Sequence, residues 1–174
     1  MIAAGGILAY PTEAVFGLGC DPLNEAAIDR LCGIKQRDPE KGLIVIASCF
    51  EQLVPLLAPL SQQQRAQLSA STGGPTTWLV PAHPELPHFL TGKFSTLAVR
   101  LTRHPVARAV CDAVGSPIVS TSANRSGCPA ASNHLQVRQS LGALVDLTLT
   151  QSVGGDLRPS RIVDLETGRV IRSS

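Results

Sequence analysis

Residues 117–127 read PIVSTSANRSG, a stretch in which a short apolar run opens directly into a polar loop. Ile118 and Val119 predict a buried strand, and the residues that follow supply hydroxyl, amide and guanidinium groups. Open α/β sheets bind ligands at the carboxyl ends of their strands, because the strand fixes the loop while its polar groups point outwards. The stretch therefore predicts a sheet with a ligand site at this end. A turn that satisfies only its own backbone is the alternative interpretation.

The composition is that of a single globular domain. With 174 residues, of which 44% are hydrophobic, the chain is long enough to bury a core, and we interpret residues 1–174 as one domain. No apolar run approaches the ~18 residues of a membrane span and no signal peptide is recognisable, so we expect a cytoplasmic protein without membrane contact. The five scattered cysteines form no C-x-x-C pair, which predicts reduced thiols and no metal site.

Positive charge is concentrated in one third of the chain. The net charge is only +2, which by itself implies no nucleic-acid partner. Between Leu86 and Val145, however, the only acid is Asp112, and that segment contains six lysines and arginines. We therefore expect a positive surface that suits an anion. Of the 15 basic residues 12 are arginine, whose planar guanidinium fits phosphate and carboxylate groups.

Hydrophobic periodicity predicts strands that alternate with helices. Two capping boxes, at Ser48 and Ser61, predict two further helices, and Asn24 is a good N-cap for the first one. The predicted strands cover residues 6–10, 43–47, 76–80, 96–101, 118–119 and 144–149, a terminal hairpin joins residues 159–165 to 169–172, and the other predicted helices end near residue 34 or cover about 105–114 and 133–141.

Three basic residues are chemically informative. Thr96, Ala98 and Arg100 share one face of a predicted strand, and an arginine there must be paired or must face a ligand, because burying it alone is costly. Lys35 continues the apolar stripe of the first helix and Arg37 follows it. These two residues can bind an anion, or they can simply complement the helix dipole.

The sequence lacks the common catalytic motifs. It contains no G-x-x-x-x-G-K-[ST] phosphate loop, no G-x-S-x-G elbow and no metal-ligand cluster. If the chain is an enzyme, these absences favour one that positions anions with lysine, arginine, hydroxyl and amide groups, without a covalent nucleophile.

Six motifs occur in order along the chain, at residues 9–19, 35–37, 74–77, 97–100, 122–127 and 159–160. Their sequences and their order resemble the YrdC-like family, most closely its short bacterial TsaC type. The resemblance covers nearly the whole chain. It implies an α/β (mixed α+β) three-layer fold, in which a twisted sheet of parallel and antiparallel strands is flanked by helices and carries a concave, positively charged site.

The resemblance also implies an activity, the synthesis of threonylcarbamoyl-AMP and pyrophosphate from L-threonine, bicarbonate and ATP. It implies Mg²⁺ that accompanies ATP, no tightly bound cofactor and no metal site on the protein. Partner proteins of the family then transfer the threonylcarbamoyl group to a tRNA adenosine beside the anticodon. Direct contact between this chain and RNA stays open.

By the same resemblance, the site divides between two substrates. We expect Arg100 to bind the threonine carboxylate, and Lys35, Arg37 and Arg100 to provide catalysis through charge and proximity, without a covalent intermediate. The expected threonine ligands are Thr12, Arg100, Ser120 and Ser160, and the expected ATP ligands are Lys35, Arg37, Thr96, Ser122, Asn124 and Arg172.

Two rival functions are also compatible with the sequence. A non-catalytic RNA-binding or ribosome-maturation module would use the same basic face, although an aromatic content of 3% leaves little for base stacking. A carbamoyl-transfer domain, similar to the YrdC-like part of hydrogenase-maturation proteins, would need further domains.

Overall fold

The computed structural model describes residues 1–70, 74–155 and 160–173, in which nine strands form one mixed sheet flanked by helices. Pro159, which begins the predicted hairpin and the sixth motif, lies outside these residues. The strands are β1 (Leu8–Pro11), β2 (Phe16–Gly19), β3 (Ile44–Ala47), β4 (Thr76–Pro81), β5 (Thr96–Leu101), β6 (Ile118–Ser122), β7 (Leu147–Thr148), β8 (Arg161–Asp164) and β9 (Val170–Arg172). The helices are α1 (Glu25–Lys35), α2 (Phe50–Leu53), α3 (Gln62–Ala70), α4 (His88–Thr91), α5 (Pro105–Val114) and α6 (His134–Leu141).

The sheet mixes parallel and antiparallel pairing, as predicted. Its strand order is β7-β1-β2-β6-β3-β5-β4-β8-β9. The pairs β1–β7, β3–β5 and β4–β8 are parallel, whereas the other neighbouring strands pair antiparallel. None of the helices in the described part of the chain has the length and apolar composition to cross a bilayer.

One face of the sheet carries the main hydrophobic core. Val119, Val45, Val99 and Trp78 lie in one register row across β6, β3, β5 and β4, and all four side chains are buried. They pack in a cluster with apolar residues of α1, α2, α3 and α6. A fully buried valine contributes about 1.5 to 3 kcal/mol relative to an exposed one, so this row fixes the register of the central strands.

The opposite face is covered at one end by α5. Ile46 and Ile118 of the sheet pack there with Tyr10 and with Ala107 and Cys111 of the helix. Helices therefore lie on both faces, and the predicted three-layer arrangement is confirmed. Beside α5, the same face is open and forms a cavity.

The strand β2 was not predicted, because its Phe-Gly-Leu-Gly sequence has no local strand signal. It lies between β1 and β6, and this position requires close approach of backbones. A Cβ atom added to Gly19 would lie 2.8 Å from the carbonyl oxygen of Val119. Only glycine allows β2 to insert here, and the insertion pairs Gly17 with Ser122 so that β6 extends beyond the predicted Ile118 and Val119.

The helix caps agree with the sequence in two of three cases. The Asn24 side chain accepts a hydrogen bond from Ala27 N (3.0 Å), as expected for the N-cap of α1. Gln64 N donates to Ser61 Oγ (3.2 Å) and Ser61 N donates to Gln64 Oε1 (2.9 Å), which is a reciprocal capping box. The box predicted at Ser48 is wrong, because α2 begins after Cys49 and has no side-chain cap.

Candidate active site

A cavity of about 480 Å³ occupies the open part of the sheet face beside α5. Its floor is a second register row, made of Ser120, Ile44, Ala98 and Leu79 on β6, β3, β5 and β4. Because side chains alternate along a strand, this row faces the cavity while the neighbouring valine row faces the core. The central strands thus supply both the core and the site.

The charged side chains of the cavity wall are predominantly basic. Among the described residues that line it, the basic side chains are Arg37, Lys41, Arg100 and Arg172, and the acidic one is Glu13. Four positive charges and one negative charge in a concave surface favour an anionic ligand, since the field of the arginines is concentrated there.

Eight of the ten predicted site residues line this cavity, although they come from segments far apart in sequence. The other two are not among its lining residues: Lys35 is the last residue of α1, and Asn124 lies in the loop that follows β6. The eight are Thr12, Arg37, Thr96, Arg100, Ser120, Ser122, Ser160 and Arg172.

Arg100 projects from β5 together with Thr96 and Ala98, as the alternation of that strand predicted. Its Nη2 lies 3.6 Å from Glu13 Oε2, and both side chains are close to 12% exposed (12% and 13%). This separation makes an ion pair but exceeds a good hydrogen bond. Arg100 Nε is buried and has no hydrogen-bond partner within the described part of the structure. The guanidinium therefore has donors left for a ligand.

Glu13 follows β1 at the wall of the cavity. Burial favours the neutral acid, but the Arg100 charge and hydrogen bonds from Thr102 Oγ1 and Arg103 N outweigh it and hold the pKa of this carboxyl below its usual value of 4.5. Glu13 is therefore ionised at neutral pH. Sequence reasoning missed its role, although it lies inside the first motif and is the one acid there.

The end of α1 directs two neighbouring basic residues in different directions. Gln36 adopts a left-handed conformation with φ of 51°, which is uncommon outside glycine and ends the helix. Beyond this turn, Arg37 reaches the cavity, where its Nη2 donates to Gly42 O at 2.8 Å. Arg37 Nε is buried and lacks a hydrogen-bond partner among the described residues, as does Arg100 Nε. Arg37 therefore also has a donor left for a ligand.

Lys35 points instead into the loop after β6. Its side chain is buried, and its Nζ donates to Ser122 O, to Asn124 O (2.9 Å) and to Asn124 Oδ1 (3.3 Å). Ser126 N donates in turn to Lys35 O at 2.7 Å. Burial, followed by the nearby Arg37 charge, lowers the pKa of Lys35 to about 8. Lys35 thus connects α1 to the loop and uses all its donors in doing so.

Asn124 is also fully used within the loop. Its Oδ1 accepts from Ser122 Oγ at 2.6 Å, and its Nδ2 donates to Arg125 O (3.0 Å) and Cys128 O (2.6 Å). The alternative interpretation of residues 117–127 as a self-satisfying turn thus describes Asn124, whereas Ser120 and Ser122 line the cavity.

The hydroxyls of the wall are held in place from behind. Ser120 Oγ accepts from Tyr10 OH at 2.8 Å, and Ser160 Oγ lies 2.9 Å from Thr77 Oγ1. Thr12 Oγ1 donates to Val15 O at 2.7 Å. These contacts fix the orientation of the hydroxyls before any ligand binds.

Arg172 closes the wall from the edge strand β9. Its Nη2 donates to Ser160 O at 2.6 Å. Partial burial, followed by the charge of Arg100, lowers the pKa of Arg172 below the usual value for arginine. The sequence analysis did not identify Lys41, Phe94 or Ile171 as lining residues. Phe94 and Ile171 remain about half exposed, at 49% and 52%, which is a signal visible only in the structure.

Comparison with known proteins identifies the family to which this chain is similar. The family model Sua5/YciO/YrdC, described as "Telomere recombination", matches residues 1–174. A threonylcarbamoyl-AMP synthase of Chromohalobacter salexigens is 51% identical over 168 residues, covering 97% of this chain and 90% of the relative. One of Nitrosococcus oceani is 48% identical over 172 residues, covering 99% and 93%.

A solved structure shows the same fold with a bound amino acid. The crystal structure of P. abyssi Sua5 complexed with L-threonine matches with a TM-score of 0.86 and 29% identity. The match covers 94% of this chain and 48% of the Sua5 chain, so this chain spans about half the length of that protein.

Proposed function

The chain belongs to the Sua5/YciO/YrdC family, and we propose that it is a nucleotidyltransferase that forms threonylcarbamoyl-AMP and pyrophosphate from L-threonine, bicarbonate and ATP. Relatives about half identical over nearly their full length carry the name of this activity. The observation that carries the proposal is the convergence of distant segments into one cationic, hydroxyl-lined cavity.

We assign the L-threonine site to the wall around Arg100. Its open guanidinium donors can hold the substrate carboxylate in a bidentate manner, which is the strongest arrangement for this pair. Thr12, Ser120 and Ser160 line the same cavity and surround the bound amino acid with fixed hydroxyls.

We assign the ATP site to Arg37 and Arg172, with Thr96 and Ser122 beside them. The two guanidiniums offset the charge of the phosphates. Lys35 and Asn124, the other two predicted ATP ligands, act in this proposal through Ser122, because their hydrogen bonds hold the loop that follows it. We therefore propose Arg37 and Arg100 as catalytic residues that contact the substrates directly. Lys35 is a positioning residue.

The reaction needs two anions to meet. The amino group of threonine reacts with bicarbonate and loses water to give an N-carboxylate, whose oxygen then bonds to the α-phosphorus of ATP while the bond to pyrophosphate breaks. Fixed cations in the wall oppose the repulsion between carboxylate and triphosphate, and correct positioning supplies up to roughly 7 to 11 kcal/mol of the barrier. No protein nucleophile takes part.

We propose that Mg²⁺ enters as part of the nucleotide substrate. The residues described here contain no group of three or more His, Cys, Asp or Glu side chains that could form a metal site. A Mg²⁺ ion held by phosphate oxygens and water fits such a wall, because this ion keeps several waters and needs few protein ligands.

The proposed product must be handed to further components. We propose that threonylcarbamoyl-transfer proteins consume it for tRNA modification, in the cytoplasm where tRNA is available. The names of the relatives do not favour the rival RNA-binding or ribosome-maturation module.

The test is incubation of the purified chain with ATP, MgCl₂, bicarbonate and L-threonine. Pyrophosphate release and a threonine-containing adenylate, both absent when threonine or bicarbonate is omitted, are the expected result. Pyrophosphate release that does not depend on threonine would contradict the proposal. Salt-sensitive RNA binding without turnover would favour the rival.

A further inference from the structure

The two oxygens of Glu13 have different surroundings. Oε1 accepts hydrogen bonds from Thr102 Oγ1 (2.9 Å) and Arg103 N (3.2 Å). Oε2 is buried and has no hydrogen-bond partner in the described part of the chain, and it faces Arg100 Nη2 at 3.6 Å. One oxygen is thus used by the fold, while the other has no hydrogen-bond partner, in a residue that lines the cavity.

A buried carboxylate oxygen without a donor is unusual. Leaving such a group unsatisfied is unfavourable, and most buried polar atoms in folded proteins have a partner. Arg100 Nε belongs to the guanidinium that faces Glu13 Oε2, and it is also buried without a partner among the described residues. This part of the wall therefore contains one unpaired acceptor and one unpaired donor. A ligand that carries a positive donor next to a negative acceptor would satisfy both groups at once.

An α-amino acid is such a ligand, because its ammonium and its carboxylate are joined through a single carbon. The ammonium can bind Glu13 while the carboxylate binds Arg100. Glu13 Oε2 and Arg100 Nη2 lie 3.6 Å apart. A bare Mg²⁺ ion would bring only positive charge beside the guanidinium, which disfavours it at this position.

We infer that Glu13 Oε2 binds the amino group of L-threonine, so that Glu13 and Arg100 together recognise the two charged groups of the amino acid. The inference rests on the proposed function and extends it to a residue with no assigned role. It makes Glu13 a determinant of specificity for substrates with an α-amino group, and it places that nitrogen where bicarbonate must react.

Glu13 is suited to holding the amino group and unsuited to removing its proton. A general base works best when its pKa lies near the operating pH. The pKa of Glu13 is held below 4.5 by the Arg100 charge and by hydrogen bonds, in spite of burial. An ionised carboxylate of this kind is a good acceptor for an ammonium and a weak base toward it. The ammonium therefore loses its proton to water before the nitrogen reacts with bicarbonate, and Glu13 then accepts a hydrogen bond from the neutral amine.

The test compares L-threonine with (R)-3-hydroxybutyrate, which has the same carboxylate, hydroxyl and methyl groups but no amino group. Titration calorimetry on the wild-type chain should give at least about tenfold tighter binding of L-threonine, since a hydrogen bond to a charged group is worth roughly ten- to hundredfold in affinity. Glu13→Gln should remove most of this preference, by weakening L-threonine and leaving the analogue unchanged.

Two further variants separate binding from folding. Thr102→Val removes the donor to Oε1 but keeps the carboxylate, so it should retain the preference for L-threonine. Glu13→Asp keeps the charge at a shorter reach, and it should show an intermediate preference. If Glu13→Gln does not fold, the preference for L-threonine over (R)-3-hydroxybutyrate, measured in the wild-type chain and in Glu13→Asp, still tests the inference.

The inference is overturned if Glu13→Gln weakens both ligands by the same factor, or if the wild-type chain binds them equally. Those results would leave the proposed function intact, provided that threonine-dependent pyrophosphate release continues. A wild-type chain that neither binds L-threonine nor releases pyrophosphate with it would overturn the proposed function and this inference together.

Discussion

Lys35 and Arg100 are both buried basic residues beside one cavity, yet they differ in how their donors are used. Lys35 is 4% exposed and donates to three oxygens, one on the last residue of β6 and two in the loop that follows it. Arg100 has a buried Nε without a partner among the described residues, and it meets Glu13 only at 3.6 Å. A cation whose donors are all used stabilises the fold, whereas one with open donors is ready for a ligand.

The largest effect on activity is expected from Arg100→Lys. Lysine keeps the charge but lacks the planar fork that binds a carboxylate through two hydrogen bonds. We expect kcat/KM for L-threonine to fall roughly 100-fold, which corresponds to about 3 kcal/mol, while KM for ATP changes little. Steady-state pyrophosphate release at varied L-threonine and varied ATP measures both quantities.

Arg108→Lys is the matched control, because Arg108 is an exposed arginine of α5 that does not line the cavity. It should leave all kinetic constants unchanged. An unchanged kcat/KM for L-threonine in Arg100→Lys would remove the distinction between Arg100 and Lys35. An equal rise in KM for L-threonine and for ATP would do the same.

Lys35→Met is expected to lower the stability of the fold. The substitution keeps much of the side-chain volume but leaves the oxygens of Ser122 and Asn124 without their donor, which should cost about 2 kcal/mol in the free energy of unfolding. Urea denaturation followed by circular dichroism measures this change. Lys41→Met is the control, since Lys41 is exposed at the cavity wall, and it should leave stability unchanged.

Activity of Lys35→Met then sharpens the comparison. We expect turnover to fall because the loop that follows Ser122 loses its attachment to α1. A variant with wild-type stability and no turnover would mean that Lys35 contacts the substrate directly, and Lys35 would then belong with Arg100.

A smaller effect is expected from Tyr10→Phe. Tyr10 OH donates to Ser120 Oγ at 2.8 Å in a fully buried contact, so its loss should lower stability by about 1 kcal/mol. KM for L-threonine should change by less than about tenfold, because the Ser120 hydroxyl remains and only its support is removed. Thr77→Val, which removes the corresponding support of Ser160, should behave alike. A KM effect as large as that of Arg100→Lys would show that these supports contribute directly to binding.

Local patterns predicted some of these features and not others. The alternation of β5 placed Thr96, Ala98 and Arg100 on one face, because that pattern depends only on neighbouring residues. The sequence could not show that Lys35 and Arg37 diverge, since this depends on the left-handed conformation of Gln36 and on a loop 87 residues away.

The cavity as a whole depends on long-range pairing. The strand β2 joins β1 to β6 through glycines that carry no strand signal of their own, and without β2 the sheet cannot bring residues 12 and 120 together. The division of the residues between threonine and ATP came from the family resemblance, because no local pattern encodes a substrate.

The smallest effect concerns pH, and it tests the ion pair that sets Arg100 apart. The pKa of Glu13 in the folded chain lies below its ordinary value of 4.5, because the Arg100 charge and the hydrogen bonds at Oε1 outweigh burial. A carboxyl with a lowered folded pKa stabilises the fold above its unfolded pKa, and this contribution is lost as the pH falls through the folded value. The wild-type chain should therefore be more stable than Glu13→Gln at neutral pH, and the difference should narrow as the pH falls below 4.5. Urea denaturation of both chains from about pH 7 down to about pH 3 measures this difference. A difference that stays constant over this range would mean that Glu13 is not held ionised by Arg100, and the donors of Arg100 would then be even less occupied than the structure shows.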